Sequence, residues 1–369
     1  MKKIALNKPQ EMLFALLRAS LHEKEVEVYY FDGATNDDWK QCYQLAVAQG
    51  VMALAWDGVH RLPAKLMPFR NLKLTWAMAV EMYEAKYRRY CKTVDELSAF
   101  YARQGIGTVL LKGVGFSTYY PIPMHREGGD IDIYTYSADA TKMTDKEANQ
   151  LADKLMEEQG IEVEHHSVKH SNFIYKGIPI ENHKNFLNVE IIPEAVQADA
   201  ILHRKLNPQI VELVEGKVQI PSPEFNALFI SFHALQHYGS GIALHHLCDW
   251  AMILKRYGWF IPEEIQKKQL LEGMRALTQL CNEFLGTSVM VEGGENIAVE
   301  MMGEILNPPY AMVVPVQSKV GIILYKTRRL LHTHYLKSQV FDISLRRRIW
   351  DSILTHLRRP ETIFGRNEK

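Results

Sequence analysis

Two aspartates one residue apart, Asp130 and Asp132, stand in the run Gly128-Gly-Asp-Ile-Asp-Ile-Tyr-Thr-Tyr136. Side chains on a strand alternate between faces, so the pair shares one face, roughly 7 Å apart along the backbone. Ile131 and Ile133 point the other way, toward a core. Like charges side by side on a strand repel, and a cation between them removes the conflict. Mg²⁺ (or Mn²⁺) suits such a pair, because it takes hard oxygen ligands and shares them with substrate phosphates. The chemistry this predicts is metal-dependent phosphoryl or nucleotidyl transfer.

A metal clamp on an in-line displacement calls for a third carboxylate. Glu181, in Ile178-Pro-Ile-Glu-Asn-His183, follows a hairpin-like turn about fifty residues past Asp132 and is the preferred third catalytic carboxylate, as a metal ligand or a base. Glu190, in Leu187-Asn-Val-Glu-Ile-Ile192, is the rival on equally β-prone flanks. Upstream, Lys112-Gly113-Val114-Gly115 falls at a strand-to-helix junction. Backbone N–H groups there, a helix start and one cation would receive a triphosphate. Arg126 would neutralise charge developing on a pyrophosphate leaving group.

The elements that must position these groups separate into three zones. Residues 1–104 carry helical periodicity, with helices expected at Met12–Leu17, Trp39–Ala48, Val51–Val59 and Leu72–Arg103. Residues 105–218 mix strands and helices. Strands are expected at Thr108–Lys112, Asp130–Tyr136, Ile161–Val168, Ser171–Tyr175 and from Ile178 to His183, with helices at Val114–Tyr119 and Asp145–Gln159. Residues 219–369 return to helices: Pro223–Tyr238, Ile242–Tyr257, Leu271–Leu285, Ala298–Leu306, Val320–Lys337 and Leu345–Leu357. The fold class is therefore α+β, a small mixed sheet between N-terminal and C-terminal helical regions.

Composition narrows the field. The 43 basic and 43 acidic residues cancel, so net charge singles out neither nucleic acid nor membrane. Four scattered cysteines, Cys42, Cys91, Cys248 and Cys281, form no CxxC pair and fit a reducing cytoplasm. The basic start is followed by Gln10-Glu11 and makes a poor signal peptide. No stretch reaches the ~20 apolar residues of a membrane span. A cytoplasmic protein without a membrane partner is expected.

Leu111-Lys-Gly, Tyr120-Pro and Arg126-x-x-Gly-Asp-Ile-Asp-Ile, taken together, resemble a bacterial nucleotidyltransferase family of the DNA polymerase β-like superfamily. In its broader pattern an apolar residue and Gly-Ser or Gly-Gly open a short helix, Asp-x-Asp follows on the next strand, and a later strand brings a third acid. Ile180-Glu-Asn-His183 resembles the family's acid-x-His strand, which favours Glu181. His233, His237 and Gly241-Ile-Ala-Leu-His-His-Leu-Cys-Asp249-Trp resemble its C-terminal helical segment. The resemblance spans residues 105–255. It implies a nucleotidyltransferase-like core, with Asp130, Asp132 and Glu181 holding Mg²⁺ and Lys112, Gly113, Gly115 and Arg126 meeting an NTP. The chain departs from the pattern in having Lys-Gly-Val-Gly where Gly-Ser is usual, and a longer interval to Asp130.

Other polar groups have structural readings beside the functional ones. His233 and His237 share a helix face, with His245, His246 and Asp249 on the next helix, giving either a metal or phosphate site or plain helix packing. His183 would support Glu181 from the same strand face. Asp249, in an apolar helix, needs a partner or faces the substrate pocket. His165, His166 and His170 read as a solvated strand. The basic tail Arg346-Arg-Arg348, with Arg358 and Arg359, reads as the charged face of an amphipathic helix rather than a nucleic-acid surface.

The function expected is transfer of NMP from an NTP to an acceptor with release of pyrophosphate. The acceptor is a small molecule, a nucleic acid or a protein hydroxyl. A catalytically impaired relative that binds nucleotide or a protein partner for regulation is the alternative, motivated by the atypical glycine turn. A metal-dependent phosphohydrolase shares the carboxylates.

Overall fold

Side-chain caps open the first helices. α1 (Lys8–His22) begins behind Asn7, whose side chain accepts the Gln10 N–H, and α2 (Asn36–Ala48) begins behind Thr35, which accepts that of Asp38. α3 (Met52–Val59) and the long α4 (Arg70–Ala102) complete the N-terminal helices. The structure, a computed structural model, describes residues 4–358 except 166, 191, 260–264, 266 and 312, together with 363–364. His166 and Arg359 lie outside the described residues.

The central stretch runs β1 (Ile106–Leu110), α5 (Val114–Ser117), β2 (Ile131–Ser137), α6 (Asp145–Glu158), β3 (Val163–Glu164), β4 (His170–Tyr175), β5 (Ile178–His183), α7 (Pro193–Lys205), β6 (Gln209–Glu212) and β7 (Lys217–Ile220). The C-terminal helices are α8 (Pro223–His237), α9 (Leu244–Tyr257), α10 (Lys268–Phe284), α11 (Glu295–Leu306), α12 (Lys319–Val340) and α13 (Leu345–Arg358). The α+β class with a mixed sheet holds.

Seven strands form one sheet in the order β3-β4-β5-β2-β1-β7-β6. β2 pairs antiparallel with β1 and parallel with β5, and β7 runs parallel to β1. Parallel pairs need both faces covered, and β2 is buried almost throughout. On one face Asn149 of α6 donates to Thr135 Oγ1 (3.0 Å) and to the His183 carbonyl (2.8 Å). On the other, Tyr134 packs on Phe186 and Phe186 on Phe225 of α8, with ring centroids 4.7 Å apart in both contacts. That second face carries Asp132. A continuous apolar core runs from α1 through the sheet to α12.

Several expectations shift. Among the described residues of the strand anticipated over Ile161–Val168, only Val163–Glu164 forms one. Among the described residues the β-prone flanks of Glu190 form no strand: Glu190 occupies an exposed turn ahead of α7, and its carbonyl accepts from Arg347. Glu190 is thereby removed from the sheet, while Glu181 is on it. The sequence reading lacked α7 and the β6–β7 hairpin. In the last helix Trp350 and Leu354 are 63% and 44% exposed.

Candidate active site

Asp132 is a charged group inside the protein, its side chain fully inaccessible to solvent. One oxygen is well served: Oδ1 lies 3.0 Å from Lys112 Nζ and 3.1 Å from His183 Nε2. The other, Oδ2, is buried without a hydrogen-bond partner. Burial pushes against ionisation, but Lys112 and the His183 hydrogen bond outweigh it and hold the carboxyl well below its usual range. An orphaned oxygen on an ionised buried carboxylate costs free energy unless a cation occupies its lone pairs.

The β2–β5 register sets Asp132 opposite Glu181. Glu181 Oε2 is 3.6 Å from the Nε2 atoms of both His170 and His183. Burial raises the Glu181 pKa and the His183 contact lowers it, with a net downward shift. Asp132, Glu181 and His183 each offer a ligating atom, all within 4.8 Å of one another. His183 therefore stands among the potential ligands rather than behind them. Asp130 does not share that tight group. It precedes β2, half-buried, and burial and the Asp132 charge raise its pKa. Lys112 feels all three carboxylates. Burial works against its charge, yet Asp132, Asp130 and Glu181 together raise its pKa. These carboxylates and Lys112 are thus one electrostatic unit.

Gly113 links Lys112 to α5 with φ +58°, a left-handed conformation that glycine adopts at no steric cost. Gly115 has a different duty. A Cβ there would stand 2.6 Å from the Leu110 carbonyl, and its N–H donates to the Lys112 carbonyl at 3.1 Å. The helix that follows is a single turn. Lys112 and Gly113 line the cleft, whereas Gly115 seats that turn against β1.

The loop leading into β2 is held from three sides. Arg126 donates through Nε and Nη2 to the two oxygens of Asp249, at 3.2 and 2.6 Å, and through Nη1 to the Glu127 carbonyl. Tyr120 also donates to Asp249 Oδ1, at 2.6 Å. Glu127 accepts the Ala53 N–H at the start of α3 (2.8 Å). Lys86 donates to the Gly128 carbonyl (2.7 Å) and Tyr90 to that of Gly129 (2.9 Å). Asp249 thus finds its partner in Arg126, and Arg126 is anchored rather than left free to reach.

The cleft above Asp132 draws Gly50 and Tyr83 from the N-terminal region, Lys112 to Asp132 from the sheet region, and His233 and His245 from α8 and α9. His233, His237 and His246 also converge, with ligating atoms within 4.8 Å of one another. Lys169, between β3 and β4, was not singled out in the sequence. Its pKa is lowered by burial and by Lys112, and Asp132, Glu181 and Asp130 oppose the shift. A lone lysine in a polar turn gives no periodic signal of such a position. No helix among the described residues is long and apolar enough to cross a membrane.

No curated protein matches the chain. Among solved structures, the crystal structure of an antigenic nucleotidyltransferase-like protein from Paracoccidioides brasiliensis is similar over 55% of this chain and 94% of that one, at 16% identity and a TM-score of 0.36. Residues 35–286, well over half of the chain, match a family described as "Uncharacterised nucleotidyltransferase". The matched span contains the whole sheet and every candidate residue named above, and the chain belongs to this nucleotidyltransferase family.

Proposed function

We propose that the protein is a divalent-metal-dependent nucleotidyltransferase that moves NMP from an NTP to an acceptor hydroxyl or phosphate and releases pyrophosphate. The supporting observation is the buried, unpartnered Oδ2 of an ionised Asp132, set in register with Glu181 and close to Asp130. This donor set fits Mg²⁺ or Mn²⁺ through oxygens, with His183 at its edge. A bound cation there would stabilise charge on the transferring phosphoryl group and ease ionisation of the acceptor.

The chain's own residues do the rest. Attack of the acceptor oxygen on the α-phosphorus forms one P–O bond and breaks that to pyrophosphate. Asp130, the carboxylate with the raised pKa, is poised to take the acceptor proton. Lys112 stays charged beside the phosphates and offsets charge on the leaving group. Arg126 acts chiefly by fixing the Gly128-Gly129 loop, its guanidinium being bound to Asp249. In this reading residues 105–218 carry the chemistry, and regions 1–104 and 219–369 shape the acceptor pocket. Four free cysteines accord with a reducing cytoplasm.

The test is incubation with each NTP, Mg²⁺ and an acceptor mixture, followed by phosphorus NMR and mass spectrometry. Pyrophosphate and a nucleotidylated product are expected from wild type, and neither from a folded Asp132→Asn. NTP binding without pyrophosphate would instead favour the regulatory reading. Orthophosphate or NMP without acceptor would favour hydrolysis.

A further inference from the structure

We infer that His233, His237 and His246 form an oxyanion subsite on the α8–α9 wall of the cleft, offering imidazole N–H groups to a phosphate. Their ring nitrogens lie within 4.8 Å of one another, a spacing that oxygens of one phosphate can bridge with hydrogen bonds of about 2.9 Å. His233 lines the same cleft as Lys112 and Asp132, which joins the subsite to that cleft.

Two observations choose an anion over a metal ion. The first is a tautomer. The Ala243 N–H donates to His246 Nδ1 at 3.1 Å, so the neutral ring carries its hydrogen on Nε2 and presents a donor rather than a lone pair. The second is the field. After burial, Lys112 lowers the His233 pKa, followed by His237, His246 and Lys169, and Lys112 and Lys337 lower that of His237, followed by His245 and Lys169. On His246 burial is followed by His245 and His237, and then by Arg126. Among the described residues no carboxylate hydrogen-bonds to any of the three rings. Cations around neutral donors attract a phosphate and repel a divalent ion.

The ligand class is a terminal phosphate, either the triphosphate tail of the nucleotide or a phosphate on the acceptor. Its assignment to a source rests on the nucleotidyl-transfer reading, but its chemistry does not. The experiment is calorimetric titration of inorganic triphosphate, with chelator present, into the full chain and into His237→Ala, His237→Gln and His233→Gln. The Ala variant should bind at least about tenfold more weakly. The Gln variants, which keep an N–H donor but make poor metal ligands, should recover most of the affinity. Thermal melting of each variant separates lost binding from lost fold. Displacement of triphosphate by NTP assigns the site to the nucleotide's tail, and simultaneous binding assigns it to the acceptor. Equal affinity in wild type and folded Ala variant overturns the inference, as does stoichiometric Co²⁺ absorption lost in His237→Gln. Retained NTP turnover together with unchanged triphosphate affinity in His237→Ala would defeat the subsite alone. Triphosphate binding through the histidines with no NTP turnover would defeat only nucleotidyl transfer.

Discussion

Arg126 and Asp249, 123 residues apart in sequence, form a two-pronged ion pair whose side chains are only 9% and 3% exposed. The pair ties the loop before β2 to α9, and so ties β2 to the C-terminal helices. Asp249→Ala would leave a buried guanidinium without its counter-charge, at a cost of roughly 3–5 kcal/mol. Asp249→Asn keeps an acceptor and should cost less. Urea unfolding at pH 7 measures both, and near-wild-type stability of the Ala variant would refute the anchoring role.

His125, one residue earlier, is held between Asp57 (2.7 Å) and Glu84 (3.0 Å). Burial lowers its pKa, but these two carboxylates outweigh it and the net shift is upward. The folded state then binds the proton more tightly than the unfolded chain. The contribution is complete below the unfolded value near 6.5 and is lost as pH rises through the folded pKa. His125→Ala should therefore destabilise more at pH 6 than at pH 9. A pH-independent difference between the two proteins' unfolding curves would remove the charge from the account.

Gly113 turns Lys112 toward Asp132 at φ +58°. Gly113→Ala should cost about 1–2 kcal/mol in stability. Displacement of Lys112 should lower kcat/KM for NTP by roughly tenfold to a hundredfold. Steady-state kinetics beside a thermal melt would show it. Unchanged kcat/KM would mean that the turn does not position the lysine for catalysis.

His183 brings an imidazole into the carboxylate group. Imidazole favours Zn²⁺ and its neighbours, whereas Mg²⁺ takes oxygen. His183→Asn should thus weaken Zn²⁺ binding by about 10–100-fold and Mg²⁺ binding much less. Equal losses for the two metals would place His183 outside the coordination sphere.

The strand bearing Asp132, the glycine turn and the strand bearing Glu181 were legible because each is local: alternating Ile and Asp, a Lys-Gly break, a short apolar run after Lys176-Gly177. The β6–β7 hairpin was not. Gln209–Glu212 is an edge strand with a largely exposed surface and lacks apolar alternation. Leu187–Ile192 misled for the opposite reason, since Val189 there falls in a turn before α7. The Arg126–Asp249 pair and the anchoring of Gly128 and Gly129 by Lys86 and Tyr90 arise only when distant helices meet the loop. Asp249 announced that it needed a partner without naming which.

Asp132 as the centre of a metal-dependent nucleotide site is tested most directly by calorimetric titration of each NTP with Mg²⁺ into wild type and Asp132→Asn. Metal-dependent binding to wild type, absent or greatly weakened in the folded variant, is the predicted result. Equal NTP binding to both proteins, or binding indifferent to Mg²⁺, would contradict it.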